Sequence, residues 1–567
     1  MTALLMSIQA GLAVTLFAYL LGRSRPVALL AGAIVLGGWW LALPTVALWH
    51  PGMLLALMVV AIAGNVGLII HEGGGRRRGD RLRSLATYGL CLAVIGIPPA
   101  TTWSLFHGQS YQGLLAVEEA EFEPSAVLLD QSQARLVDQG LADRAAQELI
   151  GNQRGLGSQA RVGTMSIQEV DGRLWWVGAL EHRGPIKYLL NTTTPGYVMV
   201  SASDYSDRRI ILDRPIRYGA EGFYLNGNVR RHLYNNGYWT VGLMDPTFEI
   251  DDAGTPHWVV TRYRNMVGFS GAMATGTLIV NATTGEISEH GLEDTPAWVD
   301  RIQPEALVRE RLGDWGRLVH GFWNAHFAQR DVITPSPGMR LVYTADGRAA
   351  WYTGLQSAGG SDEGTMGFAL IDSRTGEATF YRRAGVTESA AAAVIEGQVQ
   401  EMRYSATDPI PYVVHGVPTF IAALKDSAGN PQGVGMVAYD DRTRVGTGGS
   451  LRTALRRYTA SLDAGRGALA LDARAERIRF TGTVERAALE QIDGRGLLYL
   501  TIDAVPGRYF TAQAEGEPAA LLTRVGDQVA IEVLQGDLPI IPVIAFENLS
   551  LSGGTHDGAD TIEPSGP

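Results

Sequence analysis

The stretch that comes nearest to a catalytic signature is a serine between glycines, Gly268-Phe269-Ser270-Gly271-Ala272. A nucleophile elbow needs small residues on both sides of its serine so that the chain can turn sharply. Here the fifth position is alanine and no strand–turn–helix pattern surrounds the serine, so Ser270 is assigned no catalytic role. His71-Glu72 lacks the second histidine of an H-E-x-x-H zinc site. Val445–Ser450 (VGTGGS) opens a helix and could offer backbone N–H groups to an anion. No lysine follows it, so it reads as a connector with Ser450 as N-cap. Ser361-Asp362-Glu363-Gly364 lacks the alternating oxygen ligands of a calcium loop. The histidines are scattered, and His320 and His326 are six residues apart, which does not set them on one helix face as paired ligands. Cys91, the single cysteine, lies in an apolar run, which excludes disulfides and thiol chemistry. The expectation is of no catalytic, cofactor-binding or metal-ligating residue, and of no cofactor.

What the chain repeats instead is a turn. Gly367–Tyr381 (GFALIDSRTGEATFY) reads as strand, tight turn and strand, and Thr277–His290 (TLIVNATTGEISEH) has the same design. Gly376 and Gly285 supply the positive φ that such turns need. Asp372, Thr375, Gly376 and Glu377 in one copy, and Asn281, Thr284, Gly285 and Glu286 in the other, are the candidate repeat-turn and interaction residues. An aromatic-led strand precedes each: Ala350–Leu355 and His257–Arg262. Looser copies are Leu174–Leu180 with Gly196–Asp204, and Thr419–Leu424 with Val434–Asp441.

Helices lie between these strand groups. Ser132–Ile150 carries a moderate apolar stripe. Pro304–Phe327 is the strongest, with Val308, Leu312, Trp315, Leu318, Val319, Phe322 and Trp323 at helical spacing, so its apolar face is expected to cover a sheet. Further helices are expected from about Thr387 to Met402 and from Ser450 onward. Arg208–Ile250 is rich in tyrosine, asparagine and glycine, and suits either core aromatics or a binding loop. Arg477–Asn548 holds five strand-like runs between short turns, which suggests a small closed barrel. The Gly-, Asp- and Ser-rich end, 551–567, is expected to be disordered.

Four apolar runs open the chain: Ala3–Leu21, Val27–Leu48, Met53–Ile70 and Leu85–Phe106. Each is close to the ~20 residues that span a bilayer. Arginines fill two of the connectors, Gly22–Pro26 and His71–Ser84. By the positive-inside rule this places everything after about residue 106 outside the cytoplasm. The 567 residues carry a net charge of −11, which disfavours nucleic acid as a partner. The expected fold is a multidomain membrane protein. It comprises a four-helix transmembrane bundle at 1–106, a membrane-exit linker and helix at 107–160, antiparallel α+β repeats at 161–465, a small β-barrel at 470–550 and a tail at 551–567.

With those residues in place, two resemblances emerge. Asp372–Glu377, and Asn281–Glu286 with asparagine at its first position, resemble the D-x-x-T-G-E-like turn of the PepSY family, whose small domain packs a helix on an antiparallel sheet. Val525–Val529 (VGDQV) resembles the strand entry of OB-fold barrels. The PepSY resemblance implies a non-catalytic extracytoplasmic module that binds proteins or inhibits peptidases. The function expected is therefore a binding or scaffold protein, an assembly or regulatory subunit of a bacterial envelope complex at the inner membrane. Its partners would be the membrane and envelope proteins or further copies of itself. Two alternatives stay open: an envelope peptidase or glycan hydrolase with an unassigned carboxylate site, and a channel or transporter with a large external domain.

Overall fold

The computed structural model describes residues 2–22, 25–54, 85, 89, 92–93, 96–122, 134–344, 347–358, 364–464, 477–492, 495–513, 518–534 and 540–552. His71-Glu72, the arginine-rich connector at 71–84, Cys91, residues 361–363 of the acidic loop and the tail beyond 552 lie outside them. The chain divides into two compact units, Met1–Thr387 and Glu388–Pro567. Both are built mainly of β-sheets with helices packed on them.

Three larger sheets and one two-stranded ribbon, Gly364–Thr365 with Gly385–Val386, lie in the first unit. The central strand of the first sheet, Arg173–His182, is buried along nearly its whole length. Strand periodicity explains how, since alternate side chains face opposite sides. Trp176 and Leu180 meet the helix Gln139–Asn152 through Leu141, Ala142, Ala145 and Ile150. Trp175, Val177 and Ala179 meet Phe248, Trp258, Val260 and Leu278 of the second sheet. The helix starts later than its composition suggests because Asp138 caps it, its carboxylate accepting from the Leu141 N–H at 2.8 Å.

The second sheet is a meander of Gly242–Ile250, Pro256–Val267, Ser270–Asn281 and Ile287–His290. In the third sheet, Ala349–Ser357, Gly367–Asp372 and Ala378–Tyr381 are antiparallel neighbours. The outer strand Val117–Ala120 runs parallel to Ala378–Tyr381. Glu119 closes that edge with two bonds from Arg382, at 2.8 and 3.1 Å. The helix Glu305–Arg317 covers the third sheet, seating Val308 and Leu312 on Trp351, Ala369, Ile371 and Phe380.

That helix ends six residues short of Trp323. The backbone leaves helical geometry at His320 (φ −121°, ψ 28°) and Gly321 (φ 79°), and restarts as a short turn. Trp323 and Phe327 consequently stand 65% and 75% exposed. The 208–250 segment is chiefly core: Ile216, Phe223, Val229 and Leu233 are buried with the first two sheets.

The membrane reading is corrected by this structure. Among the described residues no helix is long and apolar enough to cross a membrane. This overturns the four-helix transmembrane bundle and, with it, the multi-pass inner-membrane placement with residues after about 106 extracytoplasmic. Hydropathy measures composition, and composition does not show where a helix stops. The second run ends its helix at Ala42, and Leu43 has φ 48°. The residues around that break are tied to the folded part of the unit. Trp39 Nε1 donates to the Tyr234 hydroxyl (3.0 Å), Arg231 donates to the Trp40 carbonyl (2.9 Å), and Val46 N–H donates to the Trp239 carbonyl (2.9 Å). The last run is interrupted at Trp103, which is extended.

In the second unit, strands Ser405–Ala406, Ile410–Val414, Val417–Lys425, Pro431–Ala438 and Val445–Gly448 form one sheet. The helix Glu388–Gly397 begins where expected, but ends before a separate turn at Gln400–Met402. The helix Leu451–Ala464 buries Tyr458, whose hydroxyl lies 2.6 Å from Thr419 Oγ1. Arg477–Ile492, Arg495–Ile502, Tyr509–Gln513, Ile540–Asn548 and Gln528–Leu534 close into a five-stranded barrel around Leu498, Leu500, Ile502, Phe510, Val529 and Ile531.

Candidate functional site

The two repeated turns are superimposable in their bonding. In each, the first residue's side-chain oxygen accepts two backbone N–H groups: Asp372 from Arg374 and Thr375, both at 2.8 Å, and Asn281 from Thr283 and Thr284 at 3.0 and 2.9 Å. Gly376 and Gly285, at φ 81° and 79°, each donate to the carbonyl of that first residue at 2.9 Å. Thr375 and Thr284 then accept from the N–H of Glu377 and Glu286, both at 3.2 Å. The threonine and glutamate of each copy are exposed, and the rest of the turn faces its own chain. Arg374 donates to the carbonyls of Thr295, Pro296 and Val299, and the Ser373 carbonyl accepts from the N–H of Ile302 and Gln303. The copy at Asn281 is held by His232, whose Nε2 lies 2.7 Å from the Gly285 carbonyl.

Replacing Asp372 with alanine strands two N–H groups and should cost about 1–3 kcal/mol. Gly376→Ala should cost about 1–2 kcal/mol for a left-handed alanine, with its Cβ pressed 3.2 Å from Gln303. Both should lower the urea midpoint at unchanged slope.

The segment that Arg374 grips carries a buried polar cluster. Asp300 accepts from the Glu169 N–H (2.7 Å) and the Tyr343 hydroxyl (2.9 Å). Beneath it Gln168, wholly buried, donates to the carbonyls of Ile250 (2.7 Å) and Trp298 (3.0 Å) and accepts from the Ile250 N–H (3.0 Å). Glu249 is buried beside them, and its Oε2 has no hydrogen-bond partner. Burial first, and Asp300 second, push its carboxyl up to about 8. Burial likewise raises Asp300 to about 7 against the bonds from Glu169 and Tyr343. A near-neutral pair of acids inside a sheet junction is a structural device sensitive to pH. Among the described residues no group of three or more acidic, His or Cys side chains can hold a metal ion.

Open space lies elsewhere in the first unit, in a pocket of about 780 Å³ lined by Pro98, Pro99, Thr102, Trp103, Ser104, Tyr111, Ser270, Glu310, Asp314 and Arg317. Three elements supply the polar groups. Ser270 comes from a two-residue hairpin turn in which Val267 pairs with Ser270. Gly268 (φ 54°) and Gly271 (φ 67°) serve that turn, whose backbone presses so closely on Thr101 that a Cβ at 268 would stand 2.4 Å from its carbonyl oxygen. The glycines flanking Ser270 thus serve a hairpin, in place of an elbow. Tyr111, on the helix Ser104–Gln112, donates its hydroxyl proton to the Thr102 carbonyl at 2.6 Å.

Glu310, Asp314 and Arg317 come from successive turns of the covering helix. Arg317 donates to Asp314 at 2.8 Å. Burial, with Asp314 adding to it, raises the Glu310 carboxyl above its ordinary range. No histidine or lysine lines the pocket. The sequence pointed to Ser270 but not to its neighbours, which are brought together from 98–111, 270 and 310–317. The repeat-turn residues of Asp372–Glu377 and Asn281–Glu286 do not line it.

No family model matches the chain, and no curated protein does, so neither the PepSY nor the OB-fold resemblance gains support. Among solved structures the chain has a distant likeness to a xylan β-1,4-xylosidase from Bacillus halodurans C-125, at 11% identity over 73% of this chain and 59% of that one, with a TM-score of 0.17. The chain thus spans about three fifths of the xylosidase's length. An exo-1,5-α-L-arabinanase from a bovine ruminal metagenomic library is 8% identical over 67% and 99% of the two chains, with a TM-score of 0.16. The polysaccharide lyase Uly1 is 11% identical over 76% and 91%, with a TM-score of 0.14. Likenesses of this depth carry no functional argument.

Proposed function

We propose that the protein is a binding protein, an assembly or regulatory subunit, whose ligand-facing site in the first unit is the pocket beside Ser270. The observation that carries this reading is the lining around the serine, which offers it no histidine or lysine as a base. A nucleophilic serine gives its proton to a base, and the tyrosine of this lining, Tyr111, has its own proton committed to the Thr102 carbonyl while no histidine or lysine stands beside it. Glycosidic hydrolysis fares no better. It asks for two carboxyl groups on opposite sides of the scissile bond, and Glu310 and Asp314 project from neighbouring turns of one helix, the second of them held by Arg317. What the pocket offers is hydroxyls, carboxyls and ring surface in a fixed arrangement, which suits recognition.

The test is crosslinking and affinity capture of the full-length protein from its native extract, followed by mass spectrometry. A stoichiometric partner crosslinked to the pocket lining is the expected result. Turnover of a peptide or glycan substrate that Ser270→Ala or Glu310→Gln reduces by a hundredfold or more would overturn the reading. Ser270→Ala itself should fold normally, with the tyrosine hydroxyl keeping its bond to Thr102.

A further inference from the structure

We infer that the pocket receives a basic side chain, an arginine before a lysine, from a partner protein. The inference rests on the binding reading above and adds the chemistry of what is bound.

Charge comes first. Arg317 answers Asp314, which leaves Glu310 as the one carboxyl of the lining with no hydrogen bond or ion pair to it among the described residues. One unpaired acid in the lining is complementary to one cation. The ring surface comes second. Trp103 and Tyr111 line the cavity itself, and a planar guanidinium can lie on such rings while forking its N–H groups to a carboxylate. The hydroxyl groups of Thr102 and Tyr111 are occupied as donors to the Pro98 and Thr102 carbonyls, so their lone pairs are what remains for a ligand, and a guanidinium brings only donors.

The surroundings fit a protein partner rather than a free small cation. Trp103 is in edge contact with Phe106 (5.8 Å between ring centres) and Phe322 (6.1 Å). Phe322 in turn meets Trp323, which stacks on Phe327 at 5.7 Å. Phe106, Trp323 and Phe327 are each well over half exposed. These rings form an apolar ledge leading from the pocket. A charged anchor ringed by aromatics is the arrangement in which a few residues supply most of a protein–protein affinity. The break of the covering helix at Gly321 is what turns Trp323 and Phe327 outward, so the ledge is made by the fold at the expense of Trp323, which the helical spacing assigns to the core.

The test uses the full chain and two probes: a hexapeptide of leucine and alanine with one central arginine, and the same peptide with citrulline, which keeps the shape and loses the charge. Tryptophan fluorescence or calorimetry should show saturable binding of the arginine peptide, at least tenfold tighter than the citrulline peptide at pH 7.5. Glu310→Gln should erase that difference, and Trp323→Ala should weaken both peptides alike. Because an ionised Glu310 is the binding form, and burial with Asp314 raises its carboxyl while Arg311 opposes them, affinity for the arginine peptide should improve as pH rises above the ordinary carboxylate range. Equal affinity for the two peptides, an unchanged ratio in Glu310→Gln, or no saturable binding would overturn the inference. A captured partner that crosslinks to the pocket through an acidic or neutral residue would overturn it and leave the binding reading standing. Turnover at Ser270 or Glu310 would overturn both.

Discussion

Raising the pH from 5 to 9 should destabilise the first unit by several kcal/mol, and Glu249→Gln should remove most of that loss. In the folded chain the Glu249 carboxyl holds its proton up to about 8, against an ordinary 4.5, and burial is the main cause. Between those values the folded state keeps a proton that the unfolded state has released. Stability is therefore complete below about 4.5 and falls as pH rises through about 8. At about 1.4 kcal/mol per unit the loss from this one residue is at most about 5 kcal/mol. Asp300, raised to about 7, acts in the same direction across the lower part of the window. The charges that face the pair are Glu169, Arg301 and Arg374, and they are too few to ionise it without cost. Glutamine has the shape of the neutral acid and never ionises. Urea midpoints of parent and variant should agree near pH 5 and separate by pH 8.5, the variant standing higher. Parallel curves would refute this account of the cluster.

The second large effect is expected at Trp351. Its ring is 3% exposed, packed with Val308, Leu312 and Phe380 under the covering helix, and its Nε1 donates to the Gln303 carbonyl at 2.8 Å. Trp351→Ala should cost about 3–5 kcal/mol through the cavity it leaves, and it also strands the Gln303 carbonyl. Trp351→Phe separates the two terms. It keeps most of the volume and should cost about 1–3 kcal/mol, chiefly for the unsatisfied carbonyl. If alanine and phenylalanine proved equally mild in denaturant titrations, the covering helix would not be the main clamp on the third sheet.

How far these features could be read from residues alone varies by element, for physical reasons. The turns at Asp372 and Asn281 were legible because their bonding is local: an Asx side chain, a threonine and a left-handed glycine within six residues determine the geometry. The strands on either side followed from alternation, and the five runs between Arg477 and Asn548 fall on strands of the barrel. The helix over the third sheet was legible in its first half, where Val308 and Leu312 do face the core. Trp323 shows the limit. Apolar spacing continued past Gly321, and nothing in that spacing marks where a glycine at positive φ will end the helix.

The apolar runs misled for a related reason, since their composition says what they avoid and does not say what they touch. Trp39 and Trp40 bond to Tyr234 and Arg231 some 190 residues later. The Glu249 cluster left only one trace, an acid inside the strand Thr247-Phe248-Glu249-Ile250, where Phe248 and Ile250 face the first sheet and Glu249 the other way. Its partners come from three separate segments, and no local pattern joins them.

The pairing of Val117–Ala120 with Ala378–Tyr381 has a consequence for the order in which the molecule is made. Two strands some 260 residues apart must meet side by side, so the edge of the third sheet cannot be finished while the ribosome is still short of Tyr381. Until then Val117–Ala120 lacks its ladder partner, and the arrival of Arg382 at Glu119 is what fastens the early part of the chain to the last strand of its sheet.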